Sequence, residues 1–259
     1  MSRVAVLVAS IVVGGFAIGL ISTTDHLGNR LPAAIASLVI GWLLAAAGLV
    51  AWSRRPDSRF GTLMVVTGFV WLVALLEFAD GSIPYTVGLW LAGVPLATFA
   101  HLLLAFPTGR LPGRAERLIV GAAYATTIPL QLVVLFFADP ATSSIDCPEC
   151  PANAFLVSAN DGIANSVILA QNAIGVVIVL AIVTSLRRRW LAATPPARRA
   201  LAPVFLTGSL VLVFGVALFV TALAGWDAAA PWCRLALYVS MALVPLAFLA
   251  GLLQLRLAS

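Results

Sequence analysis

Apolar residues along the chain gather into eight runs of eighteen residues or more, at 4–21, 33–52, 60–78, 87–106, 119–138, 166–186, 202–223 and 235–254. Short stretches holding most of the charge, proline and glycine separate them. At 1.5 Å rise per residue, a helical run of that length crosses a hydrocarbon layer about 30 Å thick. Inside such a layer the backbone satisfies its polar groups only as helix or closed barrel. The pattern therefore predicts an all-α integral membrane protein, a single polytopic domain of about eight transmembrane helices. The longest interval, 139–165, is rich in Asp, Pro, Ser, Asn and Cys and reads as an exposed loop.

The distribution of arginine orients the bundle. Thirteen of the 15 basic residues, all arginine, fall on one set of alternate loops and ends, including Arg54, Arg55, Arg59, Arg110, Arg114, Arg117, Arg187, Arg188, Arg189, Arg198 and Arg199. Only Arg30 and Arg234 fall on the other. Positive loops stay on the cytoplasmic side, so both termini are expected in the cytoplasm. Trp52, Tyr85, Trp90, Trp190, Trp226 and Trp232 fall at predicted span ends or adjoining loops, as interfacial aromatics do, whereas Trp42 and Trp71 lie deeper.

Composition agrees with a lipid solvent: 62% of the 259 residues are hydrophobic and 10% charged, against roughly a quarter charged in a soluble domain. The formal charge of +5 is carried by short loops between apolar runs, where it orients a membrane protein and does not mark a nucleic-acid binder. The first run lacks a small-residue cleavage site at Ser22-Thr23-Thr24 and reads as a retained span. Gly15 and Gly19 on it form a G-x-x-x-G, which can let two helices approach closely; the spacing arises easily by chance in a Gly-rich run, and it is read as ordinary packing.

Ionisable residues within spans are the first candidates for function. Two are present, Glu77 and His101. Glu77 stands at the outer end of the third span with Asp80 three residues on; a solvated helix end accounts for both. As a ligand site they would join Asp25 and His26 of the first outer loop, offering oxygen and imidazole to a divalent cation. His101 lies near the cytoplasmic end of the fourth span and fits an interhelical hydrogen bond. Gln131, Gln171 and Asn172 fit the same role, or the lining of a polar pocket.

Cys147, Cys150 and Cys233 all fall on the outer side. A disulfide within the C-x-x-C, or from one of its members to Cys233, is expected in an oxidising exterior. A three-thiolate metal site or a redox-responsive dithiol is the alternative. No H-E-x-x-H, G-x-S-x-G, Walker A or G-x-G-x-x-G sequence occurs, and no acidic pair sits at mid-span. No cofactor and no catalytic residue are expected from the chain.

Two loop segments carry a resemblance. Residues 53–61, Ser-Arg-Arg-Pro-Asp-Ser-Arg-Phe-Gly, resemble a turn found in membrane regions of actinobacterial sensor proteins. Residues 101–112, which include Phe106, Pro107, Gly109 and Arg110, are similar to the LLLAFPxGRL stretch in the multi-helix N-terminal regions of actinobacterial two-component sensor histidine kinases. Physically, Pro107 ends a helix, Gly109 permits positive φ and Arg110 sits at headgroups. The resemblance implies a sensory input module in the plasma membrane, a homodimer, and a cytoplasmic kinase or other output domain as partner beside the lipid bilayer. The phosphoacceptor helix and ATP-binding domain of such kinases are not within 1–259, so the output is expected from a further segment or a separate chain. The alternatives are a small-molecule permease, an accessory subunit of a transport complex, or a structural membrane partner.

Overall fold

A computed structural model describes residues 3–24, 31–139, 150–224, 226 and 228–257. Among these residues ten α-helices follow one another: α1 (Arg3–Thr23), α2 (Leu31–Arg54), α3 (Phe60–Ala74), α4 (Ser82–Leu91), α5 (Val94–Ala105), α6 (Arg114–Thr127), α7 (Pro129–Phe137), α8 (Asp161–Ala192), α9 (Pro195–Ala224) and α10 (Ala230–Leu257). A 3-10 turn, Leu75–Phe78, continues α3. No strand occurs among the described residues.

Among the described residues seven helical stretches are long and apolar enough to cross a membrane, and Leu201–Ala217 within α9 is a shorter apolar helix. The described residues are thus all-helical, and by length and composition their helices suit a multi-pass membrane protein. Six of the predicted runs fall on single elements or on α3 with its turn. The other two are broken: α4 and α5 share the stretch Ser82–Ala105, and α6 and α7 share Arg114–Phe137. The second break has a plain cause. Pro129 has no N–H to give the carbonyl four residues back, and Ile128 before it swings to φ −108°, ψ −74°.

α2 and α3 pack backbone against backbone. A Cβ added to Gly68 would come within 2.6 Å of the Gly41 carbonyl oxygen, so the two backbones touch as small-residue seams in membranes allow. Around this pair α5, α9 and α10 complete the main core, with Ile40, Leu44, Met64, Leu102 and Val244 buried. α1 is peripheral, and its Gly15 and Gly19 have open space where a Cβ would stand. No close helix approach is built on these two glycines among the described residues.

The loop expected over 139–165 is in part a packed segment. Asn153 is 7% exposed and its Nδ2 donates to the carbonyls of Leu135 (2.6 Å) and Ala138 (2.9 Å). These are last-turn carbonyls of α7 that no helical donor reaches. Ala154 N donates to Thr86 Oγ1 at 2.8 Å, and Phe155 and Cys150 pack on Tyr85, Leu89 and Leu135. Tyr85, expected at an interface, is 0% exposed, because α4 begins at Ser82 and carries it inward.

Candidate functional site

Three features stand out. The first is an open cleft of about 250 Å³ bordered by α2, α3 with its 3-10 turn, the α4–α5 break and α10. Its polar wall is Ser37, Glu77 and Tyr238; Trp71, Leu96 and Met241 are among the rest. Leu96 is 55% exposed, so the cavity opens beside the break. The turn that carries Glu77 is held by α4: a Cβ on Gly88 would stand 1.9 Å from Glu77 N. No side chain other than glycine's hydrogen fits between those backbones.

Two groups in this wall sit in unusual states. The Trp71 indole N–H is buried and meets no acceptor among the described residues, a condition that costs about 1–3 kcal/mol. Met241 lies four residues before Pro245, so its carbonyl lacks the donor that a continuous helix supplies.

The second feature is a chain of amides that joins the two helix breaks. Gln171 on α8 donates from Nε2 to Thr126 O and to Gln131 Oε1, both at 3.1 Å. Gln131 Nε2 donates to Leu89 O at 3.4 Å, near the end of α4. Trp90 Nε1 donates to Ile128 O at 2.9 Å, at the other break. A Cβ on Gly93 would stand 3.2 Å from the Thr127 side chain, so the breaks adjoin. In lipid such carbonyls have no water to turn to, and the two glutamines supply donors instead.

The third feature lies at the arginine-rich end, where the two loop segments singled out above interlock. Ser58 Oγ donates toward the carbonyls of Pro107 (3.4 Å) and Thr108 (3.3 Å) and accepts from Phe60 N at 3.2 Å. Gly109 has φ 77°, and its N–H donates to Ala105 O at 2.8 Å, closing the end of α5. The Phe106–Pro107 peptide is cis. Phe60, Phe106 and Phe248 pack as three rings, with centroids 4.9 to 5.4 Å apart. From α8, Arg189 donates to Leu104 O at 2.9 Å and also to Phe106 O. One turn earlier on the same helix, Ser185 Oγ donates to Glu116 Oε1 at 2.9 Å.

The structure distributes the sequence candidates among these features. Glu77 lines the cavity. Asp80 is exposed, with its Oδ1 accepting from Thr24 Oγ1 at 2.8 Å, and is not among the residues that line the cavity. Asp25, His26 and Cys147 lie outside the described residues. Among the described residues no group of three His, Cys, Asp or Glu stands close enough to hold a metal ion. His101 Nδ1 lies 3.4 Å from the Tyr124 hydroxyl, across α5 and α6. Gln131 and Gln171 meet, whereas Asn172 beside them is exposed. Cys150 is disulfide-bonded and Cys233 is a free thiol, so the pairing to Cys233 does not occur. Arg110 is exposed, and its N–H donates to Thr108 Oγ1 at 3.3 Å.

Sequence reasoning passed over Trp71, Tyr238, Asn153 and Arg189. Trp71 and Tyr238 sit in apolar runs where only tertiary packing separates a cavity wall from core. Arg189 was counted with the topology-setting arginines, and nothing in Arg-Arg-Arg-Trp distinguishes it from its two neighbours.

No family model, no curated protein and no solved structure matches the chain.

Proposed function

We propose that this chain is the input module of a membrane signalling system, seated in the plasma membrane with its arginine-rich end in the cytoplasm. In this reading the bundle crosses eight times, with α9 as the seventh crossing and α10 as the eighth. The cavity lies in the outer half and receives the stimulus. The interlocked turns lie at the inner face, where a cytoplasmic kinase or other output domain reads them, in a homodimeric assembly.

One observation carries the proposal: α10 takes part in both places. Its Tyr238 and Met241 line the cavity, and its Phe248 is packed between Phe60 and Phe106 of the inner turns. Pro245 stands between them. A ligand that binds two packings of the cavity unequally shifts the population of both, and α10 transmits that difference to the ring cluster. Signalling requires such a bistable element, and a helix that carries a proline between two packed sites supports the reading, since proline lacks one backbone hydrogen bond there.

The test is a fusion of residues 1–259 to a histidine-kinase core, scored for phosphorylation while membrane-active compounds, redox poise and lipid composition are varied. Stimulus-dependent output that Met241→Trp abolishes supports the reading. Constant output in every condition removes it.

The helix breaks favour a second reading, a small-molecule permease. Discontinuous helices meeting near mid-bilayer are how many transporters form their sites. Flux of a solute into proteoliposomes, abolished by the same Met241→Trp, would establish it.

A further inference from the structure

α8 presents two long faces. One, through Ala164, Ile168, Gln171, Ile178, Ile182 and Ser185, packs on α6, α7 and the end of α5. The other lies about a third of a turn round the axis. It consists of Leu169, Asn172, Val176, Val179 and Val183, spaced alternately by three and four residues, and Leu169, Asn172, Val176 and Val183 on it are exposed. Four of these suit lipid; Asn172 does not. It stands eleven residues after Asp161 and fifteen before Arg187, so about 16 Å and 22 Å of helix rise separate it from those charges. A carboxamide on a single methylene is too short to reach either headgroup layer. Hydroxyls within the spans, Thr126, Thr184 and Thr207 among them, donate to carbonyls of their own helix one turn back. Gln171, beside Asn172, meets Thr126 and Gln131. The Asn172 amide has no hydrogen-bond partner among the described residues. Lipid tails offer it none, and a polar group left so is costly.

We propose that this face of α8 is a self-association surface, covered by the α8 of a second copy, with the two Asn172 carboxamides hydrogen-bonded to each other across a two-fold axis. Three arguments select a second copy. A carboxamide is its own complement, since its N–H donates and its C=O accepts, so two of them related by a two-fold axis satisfy each other. All copies insert in one direction, as the arginine distribution dictates. The axis then runs along the membrane normal, the two α8 helices are parallel, and each residue of the face meets itself at the same depth. A different chain would have to bring a polar group of its own to that depth. The third argument is the spacing, which is that of a coiled-coil seam, where one asparagine among Leu and Val fixes register and pairing. Interhelical hydrogen bonds of this kind hold helices together in membranes. The proposal rests on the membrane-inserted, homodimeric reading above and gives that dimer a surface.

The test uses the full chain in membranes of the expressing cell and in phosphatidylcholine vesicles, with Cys233→Ser as background and the disulfide at Cys150 left oxidised. Val176→Cys and Val183→Cys place single thiols on the face; Val177→Cys places one at a position that is 64% exposed but off it. Copper phenanthroline oxidation is expected to link dimers at 176 and 183 and not at 177. Energy transfer between labelled copies, followed as vesicle lipid is diluted in, is expected to show dimerisation weakened about tenfold by Asn172→Leu, which keeps the volume and loses the amide, and much less by Asn172→Gln. Equal linking at 176 and 177, or Asn172→Leu dimerising as tightly as its parent, overturns the proposal. So does the absence of a linked dimer at both 176 and 183, which leaves the face to lipid. A product of another mass at 176 in place of the dimer overturns it too, and gives the face to a different chain. Should Asn172→Leu fold poorly, the cross-linking series decides by itself. A dimer through α8 with constant output in the kinase fusion keeps the surface and removes the signalling reading. Regulated output from a fusion that links at neither 176 nor 183 does the reverse.

Discussion

Gly109 lies against Phe60 so closely that a Cβ on the glycine would stand 2.4 Å from the Phe60 backbone nitrogen. Its φ of 77° is a second, independent requirement for glycine. The two turns at the arginine-rich end are therefore one unit, joined backbone to backbone, and neither adopts its shape alone. Gly109→Ala is expected to destabilise the fold by about 1–2 kcal/mol from the left-handed backbone alone, with the steric overlap adding to it. Loss of thermal stability in detergent, measured against Gly121→Ala, where a Cβ meets open space, isolates the effect.

Arg189 acts on the same unit from the side. Its guanidinium reaches two carbonyls, Leu104 and Phe106, that end α5. A planar fork serves two acceptors at once, which a single ammonium does poorly. Arg189→Met leaves both carbonyls short of a donor, at about 1–3 kcal/mol, and Arg189→Lys is expected to recover less than half of the loss. The neighbours Arg187 and Arg188 are exposed, and Arg188→Met should leave unfolding unchanged. A series of denaturation curves on the three variants decides; equal sensitivity at positions 188 and 189 would contradict the assignment.

The amide chain gives a third expectation. Gln171→Leu removes both donors that serve Thr126 and Gln131, and interhelical hydrogen bonds in membranes contribute roughly 0.5–2 kcal/mol. Gln131→Leu removes the bond to Leu89 as well as the acceptor for Gln171. Since the two glutamines share a bond, the double variant should cost less than the sum of the singles. A double-mutant cycle on unfolding free energy measures the coupling, and strict additivity would show that the two act separately.

Thiol chemistry gives a fourth. With Cys150 disulfide-bonded and Cys233 free, unreduced and denatured protein should take up one maleimide, on Cys233, and reduced protein three. Three labels before reduction would contradict the disulfide.

Much of the architecture was legible in the sequence, because apolar runs, prolines and arginine clusters are local signals. The run at 119–138 was visible as apolar, and Pro129 within it was visible as a breaker, yet the chain there still reads as one crossing since α7 resumes at once. The break at Ala92 and Gly93 had a weaker mark, a single glycine two residues before Pro95. The candidate site was legible only as Glu77. Which of Asp80, Asp25 and His26 stand with it depends on loop geometry that no periodicity encodes. Its neighbours in the cavity wall, Trp71 and Tyr238, stand 167 residues apart in the chain, in no local pattern, so the approach of α3 to α10 had to come from the fold. The docking of Phe106 on Phe60 lay behind two motifs that were noticed separately, each explained as a turn, with nothing in either to say that they meet.

The last expectation concerns the helix that joins the two ends. Pro245 removes the backbone donor that would serve Met241 in the cavity wall, and it precedes Phe248 in the ring cluster by three residues. Pro245→Ala restores a donor at that position and removes the ring's clash with the preceding turn, so α10 is expected to straighten. A straighter α10 cannot keep both Met241 in the cavity and Phe248 between Phe60 and Phe106 in their present relation. In the kinase fusion the variant should therefore be locked at one output level, high or low, while helix content by circular dichroism stays the same and unfolding free energy changes by less than about 3 kcal/mol, the cost of a proline in a helix interior. Normal stimulus dependence in Pro245→Ala would show that Pro245 does not make α10 the transmitting element, and would leave the contact between the cavity and the rings to be carried by α3, which reaches both through Trp71 and Phe60.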